Sequence, residues 1–155
     1  MKDSWTIVIH GGAGIIEKSR MTPEQDSAIR AALDHSLATA EAILSTGGSA
    51  IDAVEAAVSE LEDDPHFNAG RGAVFTFEGR NELDAALMDG RDRSAGAVTG
   101  ATETRHPVSL ARAVKDHSPH VLLRGLGADQ FSREQGLEHE GFRGRRASCD
   151  RASVP

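Results

Sequence analysis

The run Leu61–Gly90, LEDDPHFNAGRGAVFTFEGRNELDAALMDG, constrains the fold more than any other. It starts where an apolar helical stripe of Ile51, Val54, Val58 and Leu61 ends. Pro65 has no amide proton and stops that helix. Phe67-Asn68-Ala69-Gly70-Arg71-Gly72 follows as a loop with two glycines. The pattern then predicts a strand over Ala73–Phe77, a turn at Glu78–Asn81 and a returning strand over Glu82–Met88. Asp89-Gly90 signals another turn, and Ser94–Thr99, small and apolar, a third strand. Helices and an antiparallel meander in separate blocks favour a layered α+β domain over a doubly wound one.

The preceding segment supports this reading. Trp5–Ile9 is β-branched and apolar, which predicts a buried strand ending at His10-Gly11-Gly12-Ala13-Gly14. Free amides in such a glycine loop can hold an anion or an oxyanion, although on spacing alone a plain strand-to-loop turn is the favoured reading. Thr22-Pro23-Glu24-Gln25 is a helix start with a capping box. Ile29, Leu33, Leu37, Ala40 and Leu44 form one face of that helix, and Gly47-Gly48 ends it. Ser49 caps the next helix, so the two form a hairpin. Downstream, the pattern predicts a short helix after His106-Pro107, with Val108, Ala111 and Val114 on one side. A strand at Val121–Leu123 and a helix near Ala128–Gly136 complete it. Gly125-Leu126-Gly127 reads as a helix-entry turn rather than a phosphate loop, and His117 and His120 as exposed turn residues.

Chemistry concentrates at the second helix's end. Glu60, Glu62, Asp63 and Asp64 crowd a terminus where the helix dipole is already negative. Two readings are open: a solvated acidic face with Arg71 nearby, or a cation held by hard oxygen ligands. Asp84 and Asp89 are candidate catalytic carboxylates, or else a cross-strand partner and a turn cap. The chain has no GxSxG elbow, Walker loop or HExxH motif. One cysteine, Cys149, allows no internal disulfide. A net charge of -7 argues against nucleic acid or acidic membranes as partners. The first residues lack the apolar stretch of a secretory signal, so a cytoplasmic location is expected.

Three runs together, IVIHGGAG at 7–14, GGSAIDAVEAAVSELEDDPHFNAGRGAVFT at 47–76 and NELDAALMDG at 81–90, resemble the plant-type asparaginase family, also called isoaspartyl peptidases. The resemblance implies an N-terminal nucleophile hydrolase with an αββα sandwich, here incomplete. It also implies hydrolysis of asparagine and β-aspartyl dipeptides. It implies a structural sodium ion held by main-chain carbonyls of Leu61, Glu62, Asp64, Phe67, Ala69 and Arg71. Gly11 and Gly12 match the loop that borders the active site and assists self-cleavage, and Asn68 an asparagine near the nucleophile. The family cuts itself before a threonine in a Gly-Thr-Val-Gly run. The freed threonine's hydroxyl attacks while its own α-amine takes the proton. Here no Gly-Thr pair occurs and no threonine follows Thr104, so no catalytic residue is assigned.

The resemblance runs to about residue 140. Residues 141–155 carry four arginines and one acid, which leaves 13 of the 17 basic and 23 of the 24 acidic residues in 1–140. That tail has no Leu, Ile or Met and reads as unrelated and disordered, as a wrong reading frame would produce. The expectation is a fragment comprising a partial α-subunit domain (1–140) and this tail, inactive alone. The family's (αβ)2 heterotetramer is not expected for it alone. The alternative is a non-catalytic cation-binding module that pairs with a separate β-subunit. Either way, sheet faces that a second half should cover would meet water. The isolated chain is expected to be insoluble, loosely packed or dependent on a β-subunit. Cooperative thermal unfolding of a soluble monomer would overturn this.

Overall fold

The computed structural model describes residues 4–12 and 18–140. The tail 141–155, and Ala13 and Gly14 of the glycine run, lie outside them. Helix α1 spans Pro23–Ser45 and α2 Ala50–Asp63. Strand β1 is Leu83–Met88, β2 Ala95–Ala101, α3 Pro107–His117, β3 Leu122–Arg124 and α4 Gly125–Glu134. This mixture of helices and one small sheet is compatible with the α+β class.

Local chemistry sets the helix ends as expected. Thr22 Oγ1 accepts from the Gln25 amide at 3.2 Å, and Gln25 Oε1 accepts from the Thr22 amide at 3.0 Å. Gly47 takes a positive φ of 84°, and the Gly48 amide donates back to the Ile43 carbonyl at 2.9 Å. Ser49 Oγ receives the Asp52 amide at 3.2 Å. The two helices close on small residues: Ala40, Ala53 and Ala57 are buried together, and the buried Ser36 hydroxyl donates to the Ala57 carbonyl. The face of α2 differs from the expected stripe. Val54 is largely exposed, while Ala53 and Ala57 meet α1 and Ile51 packs with Leu87 and Val108. The helix is thus buried on two sides, which a single-stripe reading does not anticipate.

The sheet runs β1-β2-β3, with β1 and β2 antiparallel and β2 and β3 parallel. The meander therefore stops at β2, because α3 lies between β2 and β3 and carries the chain back to the sheet's opposite end. Ala73–Phe77 forms no strand: it loops, with Thr76 and Arg80 closing a turn (amide to carbonyl 2.7 Å). Asn81 holds it by donating to the Ala73 carbonyl at 2.7 Å. Nor is Trp5–Ile9 a paired strand among the described residues. Its burial still alternates, Ile7 and Ile9 packing on the α1–α2 hairpin and Val8 pointing out at 86% exposed. Propensity supplies the alternation; a strand also needs a partner, and the sheet lies elsewhere.

Helix α3 and the sheet build the main core. Val98, Ala101, Leu110, Ala111, Val114 and Ala128 form it, with Leu110 completely inaccessible. Gly96 permits the contact. A Cβ there would collide with the Ala111 carbonyl and come within 2.5 Å of the Lys115 amide nitrogen, both backbone atoms that cannot rotate away. Gly96→Ala should therefore lift α3 off β2 and destabilise the protein by about 1–3 kcal/mol, the cost of overpacking. Urea unfolding with a midpoint equal to the parent's would contradict that seating.

Candidate functional site: the loop after helix α2

Leu61 ends the buried face of α2, and Pro65 removes the amide that would have bonded the Leu61 carbonyl. The chain then folds back on itself. Buried Phe67 turns inward and Gly70–Gly72 makes a single 3-10 turn. Gly70 has φ 46° and sits so close to α2 that a Cβ would collide with the Glu62 carbonyl oxygen. A Cβ on Gly72 would strike the Phe67 carbonyl and lie 3.0 Å from that of Pro65. The glycines therefore face main-chain oxygens that a side chain would displace. Within this loop the Asp64 carbonyl accepts from the Phe67 amide (3.3 Å) and the Ala69 carbonyl from the Gly72 amide (2.9 Å).

Asn68 braces the loop: its Oδ1 accepts from the Val74 amide at 3.0 Å. Gly11 closes it from the other side. A Cβ there would lie 2.9 Å from Phe67 Cε1 and 3.1 Å from Leu33 Cδ2, so the His10-Gly11-Gly12 turn rests directly on the loop. The Gly12 amide donates to His10 Nδ1 at 3.1 Å, with Gly12 at φ 114°. Thus the fold brings Gly11 to the loop that holds Leu61, Glu62, Asp64, Phe67, Ala69 and Arg71, and keeps Asn68 within it.

The acidic residues are engaged rather than solvated. Asp63 takes a two-pronged contact from Arg105 (Nη2–Oδ2 2.8 Å, Nε–Oδ1 3.1 Å), with Arg71 Nε 3.6 Å away. Burial opposes ionisation there, but the Arg105 hydrogen bonds prevail and hold the carboxyl below its ordinary value. Asp64 Oδ1 accepts from the His66 amide at 2.8 Å. Glu62, only 2% exposed, accepts the Val108 amide on Oε1 at 3.0 Å. Its Oε2 faces His106 Nδ1 at 3.5 Å, an ion-pair distance, and neither atom has a hydrogen-bond partner. Burial pushes the Glu62 carboxyl up, while the facing Glu62 carboxylate holds the His106 imidazole up. Sequence reasoning missed Arg105 and His106, which lie more than forty residues away; only the fold brings them here.

The other carboxylates are structural. The β1–β2 ladder is irregular between Leu83 and Ala85, and Asp84 Oδ1 serves that irregularity by accepting the Thr99 hydroxyl (2.7 Å) and the Gly100 amide (2.9 Å). Asp89 caps the hairpin turn through the Arg91 amide and pairs with the Arg91 guanidinium (Nη2–Oδ2 2.6 Å). His117 and His120 are exposed at a turn that Ser118 ties. Among the described residues, no cluster of three or more His, Cys, Asp or Glu side chains could hold a metal ion. A cation at this loop would depend on carbonyls instead. Hard main-chain oxygens, with glycines in place of obstructing side chains, fit that kind of ligand.

The chain belongs to the asparaginase family, whose Asparaginase_2 model matches residues 3–144. It is 48% identical over 131 residues to an isoaspartyl peptidase of Salmonella typhimurium, covering 84% of this chain and 42% of the relative. It is 46% identical over 132 residues to an isoaspartyl peptidase of Escherichia coli (85% and 41%). A plant-type L-asparaginase of Thermococcus kodakarensis is 46% identical over 137 residues (85% and 42%). The chain thus spans about 40% of the length of the curated relatives it matches. No described helix is long and apolar enough to cross a membrane.

Asp89 gives a pH signature. The Arg91 guanidinium, then the Arg91 amide, lower its carboxyl from 3.8 to about 2. A depressed carboxyl contributes stability that is present above the unfolded value and lost as pH falls through the folded one. The thermal midpoint should therefore drop between pH 4 and about 2. Asp89→Asn should lower the midpoint at neutral pH and flatten that acid limb; a limb as steep as the parent's would sink the assignment.

Proposed function

We propose that this chain supplies the N-terminal portion of a hydrolase acting on asparagine and β-aspartyl dipeptides, and that it is inactive by itself. The single observation behind this is the seating of Gly11 on Phe67. It unites two runs more than fifty positions apart, both within the stretch that matches the family, while the chain carries no Gly-Thr pair. Nucleophile, base and substrate-binding residues would come from a β-subunit-like polypeptide. Gly11 and Gly12 would border the site where the nucleophilic threonine is released, and Asn68 would keep the loop facing it.

Leu61, Glu62, Asp64, Phe67, Ala69 and Arg71 would hold a sodium ion through their main-chain carbonyls. The fit of hard oxygens around Gly70 and Gly72 supports this assignment. The ion would supply positive charge and rigidity to the loop, not a reacting group. The residues of this chain would then orient the site and leave bond breaking to the partner.

The test is complementation. Residues 1–155 are assayed for ammonia release from asparagine and for aspartate release from a β-aspartyl dipeptide. Mass spectrometry of the same sample looks for self-cleavage. The expected result is no activity and a single mass, with turnover appearing only when the C-terminal part of the Salmonella relative is co-expressed. Turnover or two fragments from the pure chain would refute the proposal.

A further inference from the structure

Glu62 links the loop after α2 to the start of helix α3. Glu62 presents its main-chain carbonyl to Gly70 on one side and its carboxylate to the first turn of α3 on the other. Helix α3 needs that carboxylate. Its N-cap residue, His106, makes no capping hydrogen bond of its own. The Val108 amide would otherwise be one of the unpaired donors of a helix start, in a place closed to water. Glu62 Oε1, at 3.0 Å, takes that amide from 46 positions earlier in the chain. The positive end of the α3 dipole and the His106 imidazole at 3.5 Å make the site tolerable for a buried charge.

The geometry points to Glu62 as a positioning residue for the cation loop. Its side chain, locked to α3, fixes the direction of its own carbonyl. Sodium affinity would then depend on a carboxylate that never touches the ion. Helix α3 is a firm anchor, because Leu110, Ala111 and Val114 are fully buried against the sheet. A loop carbonyl tied to it cannot rotate without pulling the α3 terminus. This inference rests on the sodium reading above and adds to it the residue that sets the loop's geometry.

The test uses the full chain, with the C-terminal part of the Salmonella relative where solubility requires it. Sodium affinity is read from sodium NMR line broadening and from the sodium-dependent rise in thermal midpoint, with choline as the control ion. Glu62→Asp keeps the charge but is one methylene too short to reach the Val108 amide. It should lose roughly tenfold or more in sodium affinity, as changes to outer-shell partners do. Glu62→Gln keeps the reach and an accepting oxygen, and should bind sodium as the parent does. Leu110→Ala lowers stability through the core and should leave sodium affinity unchanged. Parent-like binding by Glu62→Asp, or an equal loss in Glu62→Gln, overturns the positioning role. A parent chain that shows no sodium dependence overturns the cation reading itself, and this inference with it.

Discussion

The contact of α3 with the sheet is the constraint on which the rest of the fold depends. Gly96 lets the helix backbone lie against β2, and Leu110, Ala111 and Val114 then fill the space with no exposed surface. Everything that shapes the loop after α2 is referred to that helix. Glu62 caps its start, and Arg105, two residues before it, binds Asp63. On the other flank, Arg112 reaches back to Asp52 and Glu55 on α2. The α1–α2 hairpin is thus bound to the sheet layer through polar contacts along one side of α3 and through Ile51, Leu87 and Val108 beneath them. A core of alanines and short aliphatics gains little area per residue, so close approach substitutes for bulk.

The same geometry leaves one side open. Met88, Val121 and Leu122 are more than half exposed on the sheet, and Phe77 is fully exposed at a loop turn. Val8 stands outward from an unpaired segment whose neighbours Ile7 and Ile9 face the helices. Met88 lies on β1 and Leu122 on β3, the two outer strands of the sheet, so these apolar residues flank β2 on either side.

The sequence was informative where the signal was local. The caps at Thr22 and Ser49, the glycine stop at Gly47-Gly48 and the buried face of α3 followed from spacing and chemistry alone. Trp5–Ile9 and Ala73–Phe77 failed as strands for one reason: β propensity shows willingness to pair, and pairing is decided by what lies alongside. The parallel return of β3 was hidden for the same reason, since nothing in Leu122–Arg124 marks its direction. Of the candidate site, the loop glycines showed as turn residues in the sequence, whereas Asn68 was singled out only by the family resemblance. Arg105 and His106 were not legible, because a salt partner has no fixed spacing. For Asp84 and Asp89 the sequence left catalysis open beside a cross-strand partner and a turn cap; Asp89 is the turn cap, and Asp84 serves a ladder irregularity.

The acidic end of α2 shows how partners change the meaning of a charge run. In isolation, four acids at a negative helix end repel one another and invite a cation. In the fold, Asp63 belongs to Arg105, Asp64 to the His66 amide and ring, and Glu60 to His35 on α1. Glu62 serves the start of α3. The carboxylates are therefore largely committed before any ion arrives. What a cation would find is neutral main-chain oxygen, crowded by the turn at Gly70 and freed in part by Pro65. Neutral carbonyls suit a monovalent ion better than a divalent one, which favours charged ligands.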